Sequence, residues 1–312
     1  VIHELGHQLG ARHTFNAIGV GACTGGDDGQ RSTTSSVEPG SGSTIMAYAG
    51  ICGSQNLQGN SDPYFHPFSI NQIQSSLARF ESCGVTSDPD NAVPQAVDSA
   101  SSFTIPTNTP FKLTAQATDA DDDSLTFGWD QIDPGGVSGA TSTTNEVRQD
   151  NGFNPLFRSF DPTSSPTRYF PRLSSVLNNT SVFGETFPST ERNLDFEVVV
   201  RDNLGGVDTT QVSVNVVDTG SAFSVSQPGV GVTWVGTESQ TVEWETAGTE
   251  LSPISCSSVD ILLDADGDDQ FNTVLASNEP NDGQAQVTAP SAVSSNARLM
   301  IECVDNVFYA VN

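Results

Sequence analysis

The feature that most constrains this chain is the placement of three histidines close to its start, in His3-Glu4-Leu5-Gly6-His7-Gln8-Leu9-Gly10-Ala11-Arg12-His13. On an α-helix, residues four apart lie one above the other, so His3 and His7 present converging imidazoles from a single face. Gly10 permits the positive-φ turn that ends such a helix and returns the chain, which brings His13 to the same point. Three neutral imidazole nitrogens with a fourth position left for water are the donor set of a catalytic rather than a structural zinc ion. Glu4 projects beside the histidine face, where a carboxylate can take a proton from a water on that ion. The chain has four histidines in 312 residues, and three of them at these positions would arise by chance about twice in a million. One catalytic Zn2+ held by His3, His7 and His13 is therefore expected, with Glu4 as general base.

The motif runs on into Thr14-Phe15 and is followed by Ser43-Thr44-Ile45-Met46-Ala47-Tyr48-Ala49-Gly50-Ile51-Cys52-Gly53. Together these residues resemble the metzincin clan of zinc endopeptidases, whose long histidine motif is completed by a methionine turn. Within the clan they are similar to the bacterial secreted, reprolysin-like (adamalysin-like) branch, although Thr14 stands where animal reprolysins usually carry aspartate. The resemblance covers residues 1–84 and implies the C-terminal half of a metzincin catalytic domain, with Met46 packed beneath the imidazoles without ligating zinc. Tyr48 resembles the tyrosine that other branches use as a fifth, switchable ligand; a buried turn tyrosine with a satisfied hydroxyl is the preferred reading. In metzincins the sheet that holds the substrate precedes the zinc helix. Since the chain opens at Val1 as if within a helix, it is expected to be a piece of a longer exported protein, with metal and base but no cleft, and inactive by itself.

Two apolar stripes of helical period frame this region. Ile2, Leu5 and Leu9 form the first, and Ile70, Ile73, Leu77 and Phe80 the second, opened by Ser69 with Gln72 as a capping box. Two helices joined by a long Gly/Ser/Thr loop are expected. Residues 85–93 are polar and aperiodic and read as a linker. Beyond them the period falls to two. Phe111, Leu113, Ala115 and Ala117 alternate with polar residues, as do Leu125, Phe127 and Trp129, then Leu194, Phe196, Val198 and Val200, then Val212, Val214 and Val216. This predicts an antiparallel β-sandwich with one wet face over 94–219. A second, Ig/cadherin-like sandwich is expected over 221–312, with Val242, Trp244, Val259, Ile261, Leu263, Leu299 and Ile301 inward. The fold class is thus multidomain, α+β followed by all-β.

Inside the first sandwich, residues 133–193 are too many for an ordinary loop. They carry Phe153, Phe157, Phe160, Tyr169, Phe170, Phe183 and Phe187 together with Arg148, Arg158, Arg168, Arg172 and Arg192. Such an aromatic load predicts an ordered segment that folds over its own sandwich or, as the second choice, docks on the region 1–84. Asp27, Asp28, Glu38 and Asp62 would then offer carboxylates to its arginines. His66 is expected to pack or cap locally.

Five cysteines without C-x-x-C spacing point to exported disulfides. Cys256 and Cys303 are expected to pair, leaving one of Cys23, Cys52 and Cys83 with a partner outside the chain. Asp119, Asp121 and Asp123, and again Asp264, Asp266 and Asp268, alternate as calcium ligands do. The first run lacks the following glycine and the second a late glutamate, so Ca2+ is not favoured and both read as turns. The net charge of −27, from 38 acids against 11 bases, repels nucleic acid and anionic membrane surfaces. No run approaches the roughly 18 apolar residues that a membrane helix needs. The resulting expectation is an extracellular, bacterial zinc endopeptidase that hydrolyses protein or peptide substrates through zinc-bound water and Glu4, its oligomeric state left open. The alternative is a secreted adhesion or matrix- or carbohydrate-binding protein with a vestigial zinc site; the intact Glu4 weighs against it.

Overall fold

The computed structural model describes residues 1–312 apart from 25–29, 81–83, 85–89, 98–101, 137–146 and 292–293. The described chain is mostly β with few helices. Helices α1 (Ile2–Gln8) and α2 (Pro67–Arg79) frame the N-terminal region, with a 3₁₀ turn at Gly53–Gln55 in the loop between them. Helix α2 starts two residues before Ser69, because Pro67 at its first position has a fixed φ and no N–H to leave unpaired. His66 caps it, its Nδ1 accepting from the Phe68 N–H at 3.1 Å. The Ser69–Gln72 box is therefore not the start of the helix: Ser69 is buried in the first turn, and Gln72 Oε1 accepts from the Arg12 N–H at 2.9 Å. Both helical stripes keep apolar side chains in solvent, with Ile2, Leu5, Leu77 and Phe80 all more than half exposed.

The interior of this N-terminal region is polar. Thr14, Asn16, Ser35, Ser36, Ser41, Ser43, Thr44 and Gln55 are fully buried, around a Glu38 that is 1% exposed. The Glu38 carboxylate accepts from the hydroxyls of Thr14 and Thr44 and from the N–H groups of Ser43 (2.7 Å) and Thr44 (3.1 Å). A small apolar cluster of Phe15, Ala17, Cys23 and Cys52 sits beside it.

The remaining strands are β1 (Gln95–Val97), β2 (Ser102–Pro106), β3 (Phe111–Thr114), β4 (Gln116–Thr118), β5 (Thr126–Gln131), β6 (Thr167–Phe170), β7 (Arg192–Arg201) and β8 (Val207–Val217). After them come β9 (Ser224–Gln227), β10 (Ser239–Glu245), β11 (Ser258–Asp264), β12 (Thr273–Pro280), β13 (Gln284–Thr288), β14 (Arg298–Cys303) and β15 (Tyr309–Val311). Among the described residues, no sheet mixes strands from before and after residue 220: β2-β8-β7-β5, β3-β6 and β1-β4 lie on one side, and β13-β10-β9 and β12-β11-β14-β15 on the other. The pairing is antiparallel except between β2 and β8, which run parallel. Those strands are far apart in sequence, so no hairpin dictates their direction.

The inward residues of the alternating runs meet in one apolar cluster, joined by Leu156 and Phe157. The rings of Phe111, Phe157, Phe170 and Phe196 are 4.7–5.9 Å apart. The cluster continues into Val242, Trp244, Val259, Ile261, Leu299 and Ile301 through Phe223 and Phe308. The expected wet face fails at β7, where Glu197 and Val199 are buried as well. Helix α2 and the residues just before it cover that face: Asn71 Nδ2 donates to both Glu197 oxygens at 3.0–3.1 Å, and Arg201 donates to the Phe65 carbonyl at 3.4 Å.

The 133–193 segment packs into its host core and also touches the N-terminal region. The Gly135 N–H donates to the Ser36 carbonyl at 3.0 Å, and Arg158 reaches the Leu57 carbonyl and Gln58 Oε1. Its arginines do not pair with Glu38 or Asp62. Arg168 pairs with Asp130 (3.7 Å) and Glu185 (3.2 Å), Arg172 with Glu185 (3.8 Å) and Arg192 with Asp150 (2.9 Å). Glu38 is already saturated by its own loop, whereas Glu185 and Asp150 are buried beside the arginines and need a cation there. Asp27 and Asp28 lie outside the described residues.

Candidate metal centre

Helix α1 ends in a Schellman arrangement: the Gly10 N–H donates to the His7 carbonyl at 3.0 Å and the Ala11 N–H to the Gly6 carbonyl at 2.9 Å. Gly10 sits at φ +98°, where a side chain is strained and would also meet Ser76. The turn places His13 against the helix. Its Nε2 lies 3.0 Å from that of His7, which lies 3.2 Å from that of His3.

The opposite nitrogens fix the chemistry of this cluster. His3 Nδ1 faces the Ile45 carbonyl at 2.7 Å, His7 Nδ1 the Ala11 carbonyl at 2.8 Å and His13 Nδ1 the Gln30 carbonyl at 2.5 Å. A carbonyl only accepts, so each Nδ1 must carry the proton, and each Nε2 of a neutral ring is left as a bare lone pair. Three lone pairs converging without a proton between them repel one another unless a cation joins them. Zn–N bonds of about 2.0–2.1 Å in a tetrahedron separate ligand nitrogens by roughly 3.3 Å, close to the two spacings observed. Burial, reinforced by the nearness of His7 and His3, lowers the His13 pKa to about 4 against the opposing pull of the Gln30 carbonyl and Glu4. The ring is thus neutral at pH 7, as a ligand must be.

Met46 is fully buried beneath α1, and a Cβ on Gly6 would overlap its sulfur. Its carbonyl accepts from the Thr14 N–H at 3.2 Å, which ties the methionine turn to the residue after His13. The Tyr48 ring lies 4.5 Å from that of His13 and stacks on Phe15 at 4.6 Å, while its hydroxyl donates to Gln30 Oε1 at 3.0 Å. Burial, with Glu4 second, raises the Tyr48 pKa. Glu4 is exposed at the rim, and its charge acts on both His13 and Tyr48.

Cys23 and Cys52 form a disulfide with a Cα separation of 5.0 Å, and Cys256 and Cys303 another at 6.0 Å. Neither Cys23 nor Cys52 is then the leftover thiol; Cys83 lies outside the described residues. The two aspartate runs also bring carboxylates together. In each, the first aspartate caps its own turn: Asp119 accepts from the Asp121 N–H at 2.8 Å, and Asp264 from the Gly267 N–H at 2.8 Å and the Asp269 N–H at 3.0 Å. Sequence reasoning missed Gln30 altogether and gave Glu38 the wrong partners. A backbone carbonyl leaves no trace in residue type, so Gln30 carried no signal.

Residues 1–80 match the family described as Metallo-peptidase family M12B Reprolysin-like. With the histidine cluster, this match makes the start of the chain metallopeptidase-like and the expected metal zinc. No curated protein matches the chain. Among solved structures, it is similar to fibronectin(III)-like modules of Clostridium thermocellum CbhA, at 10% identity over 70% of this chain and 92% of that one, with a TM-score of 0.23. It is also similar to the N-terminal Ig1-2 module of Drosophila Receptor Protein Tyrosine Phosphatase DLAR, at 8% identity over 70% and 97% of the chains, with a TM-score of 0.33. Likenesses this weak carry no weight here; the architecture rests on the strand pairings.

Proposed function

We propose that the chain carries the metal-binding half of a secreted zinc endopeptidase of the reprolysin-like metzincin branch, acting on extracellular proteins or peptides. The domains would be 1–84, the linker 85–93, and β modules over 94–219 and 221–312. The observation that carries the reading is the convergence of three Nε2 atoms, each on a ring whose Nδ1 faces a backbone carbonyl. Bound zinc would acidify a water and polarise a peptide carbonyl. His3, His7 and His13 hold the metal as neutral ligands, and Met46 supports their helix from below. Glu4, one residue after the first ligand and open to solvent, takes the proton from the attacking water and returns it to the leaving amine. Two disulfides fit an oxidising, extracellular compartment. Among the described residues, no helix is long and apolar enough to cross a membrane. The intact Glu4 favours this reading over a binding protein with a vestigial site.

The test is peptide hydrolysis by the longest natural form of the chain, with zinc content measured alongside. Glu4→Ala should keep one zinc per chain and lose at least about 100-fold in turnover, while His7→Ala should lose the zinc. Turnover that survives Glu4→Ala, or zinc that survives His7→Ala, would overturn the assignment.

A further inference from the structure

The three carbonyls behind the histidines are not anchored alike. The Ala11 carbonyl belongs to the Schellman turn of α1 itself. Ile45 lies beside Thr44, which Glu38 grips, and its N–H donates to the Tyr64 carbonyl at 3.0 Å. Both anchors lie within the N-terminal region. Gln30, behind His13, is followed by Arg31, which is only 8% exposed. Arg31 Nε donates to the Asn16 carbonyl at 3.0 Å, and its Nη2 to Asn16 Oδ1 (2.5 Å), to Ser36 Oγ (2.9 Å) and to the carbonyl of Gly136, 105 positions along the chain. The adjacent Gly135 N–H donates to the Ser36 carbonyl at 3.0 Å, and a Cβ on Gly135 would overlap the Asn16 side chain. The third histidine is thus backed by a strut that ends in the β region.

We propose that Arg31 is a positioning residue for His13: by gripping Asn16, Ser36 and Gly136 it holds the Gln30 carbonyl on His13 Nδ1, and so makes the geometry of the third ligand depend on the segment that follows β5. The guanidinium suits this task because its planar fork offers donors from more than one nitrogen in a fixed plane, whereas an ammonium offers them from a single atom and an apolar chain has none. The Gln30 carbonyl fixes both the tautomer and the ring direction of His13, and loss of such an outer partner lowers metal affinity by about 10- to 100-fold. This inference rests on the metal-site reading above.

The experiment uses the full chain with ¹⁵N-labelled histidine. Tautomers are read by long-range ¹H–¹⁵N correlation without metal, and Zn2+ affinity by competition with a chromophoric chelator. Wild-type His13 should be a fixed Nδ1–H tautomer. Arg31→Met should leave His3 and His7 unchanged, turn His13 into a tautomer mixture and weaken Zn2+ binding by about 10- to 100-fold; Arg31→Lys should fall between. Should Arg31→Met fail to fold, Arg31→Lys is judged by the same criteria. An unchanged His13 with unchanged affinity overturns the proposal, as do His3, His7 and His13 moving together with a lowered Tm, the mark of general loosening. Wild-type protein that fixes His13 but takes up no Zn2+ sinks the metal reading and leaves the Arg31 strut standing. A freely tautomerising His13 in zinc-binding wild-type protein does the reverse.

Discussion

The N-terminal region and the β region solve the problem of an interior by opposite means. Around Glu38 the buried side chains are threonines, serines and asparagine, and order comes from individual hydrogen bonds to one carboxylate. Around Phe196 they are valines, leucines and aromatic rings, and order comes from area removed from water. An apolar core tolerates a change of shape at constant volume, because its contacts are many and non-directional. A polar interior does not, because each donor that loses its acceptor keeps its full desolvation cost.

The largest effect that would sharpen this contrast is at Glu38. Glu38→Leu leaves the N–H groups of Ser43 and Thr44 and two threonine hydroxyls without their acceptor. At about 1–3 kcal/mol each, a loss above ~4 kcal/mol follows. Glu38→Gln should cost far less, about 1–2 kcal/mol, because the hydroxyls can turn round to accept from the new amide while its oxygen keeps the backbone donors. The volume-conserving Leu194→Met, at a fully buried site of the other core, should cost under about 1.5 kcal/mol. Urea denaturation of the three variants checks the order. Equal losses in Glu38→Leu and Leu194→Met would break the comparison.

The same contrast explains what was legible in the sequence. The β strands announced themselves because Leu194, Phe196, Val198 and Val200 repeat a physical constraint every second residue, and the pleat turns that repeat into one face. The metal cluster was legible for a different reason: the spacing of His3, His7 and His13 is itself a geometry. The loop between α1 and α2 has neither property. Glu38 sits in a Ser/Thr/Gly stretch that reads like solvent-exposed loop, and nothing in the residue types says that its carboxylate faces inward. The covered outer face of β7 was hidden for a related reason, since Glu197 alternates like a wet residue yet is buried where Asn71 arrives from α2 and Gln211 from β8. Ser69–Gln72 misled because a capping box is a local signal, and the proline two residues earlier outranks it.

A second, smaller effect concerns a half-buried carboxylate of the β region. Asp133, at the root of the long segment, accepts from the Asp195 N–H at 2.8 Å and from Gln131 Nε2 at 3.0 Å. Burial outweighs both bonds and pushes its pKa up to about 6 from 3.8. Between those pH values the folded chain holds a proton that the unfolded chain has released. Its stabilising effect is complete below about pH 4 and is lost as pH rises through 6. A shift of this size corresponds to roughly 2–3 kcal/mol. Asp133→Asn should therefore flatten that part of the stability profile between pH 4 and 7, as measured by denaturation at stepped pH. An unaltered slope would show that Asp133 is better solvated than its surroundings indicate.

The smallest effect lies where the sheets before residue 220 meet those after it. Lys112, the chain's single lysine, pairs with Glu302 across this junction, with about a quarter of each side chain exposed. The same junction is closed by apolar and backbone contacts: Phe111 bridges Phe308, the Phe223 N–H donates to Thr109 Oγ1 at 3.1 Å, and the Tyr309 N–H donates to the Pro110 carbonyl at 3.0 Å. If area and backbone pairing hold this junction, the ion pair adds little, since solvent and salt screen a half-open pair to below about 1 kcal/mol. Lys112→Met keeps the aliphatic stem over the sheet and removes only the charge. It should shift the unfolding midpoint by less than the equivalent of about 1 kcal/mol, and the difference should vanish in roughly 1 M salt. A loss of about 3 kcal/mol or more that persists in high salt would mean that a charge-based joint of the Glu38 kind also operates between the two sets of sheets, and the division between a polar and an apolar way of building an interior would no longer follow the boundary between the N-terminal region and the strands.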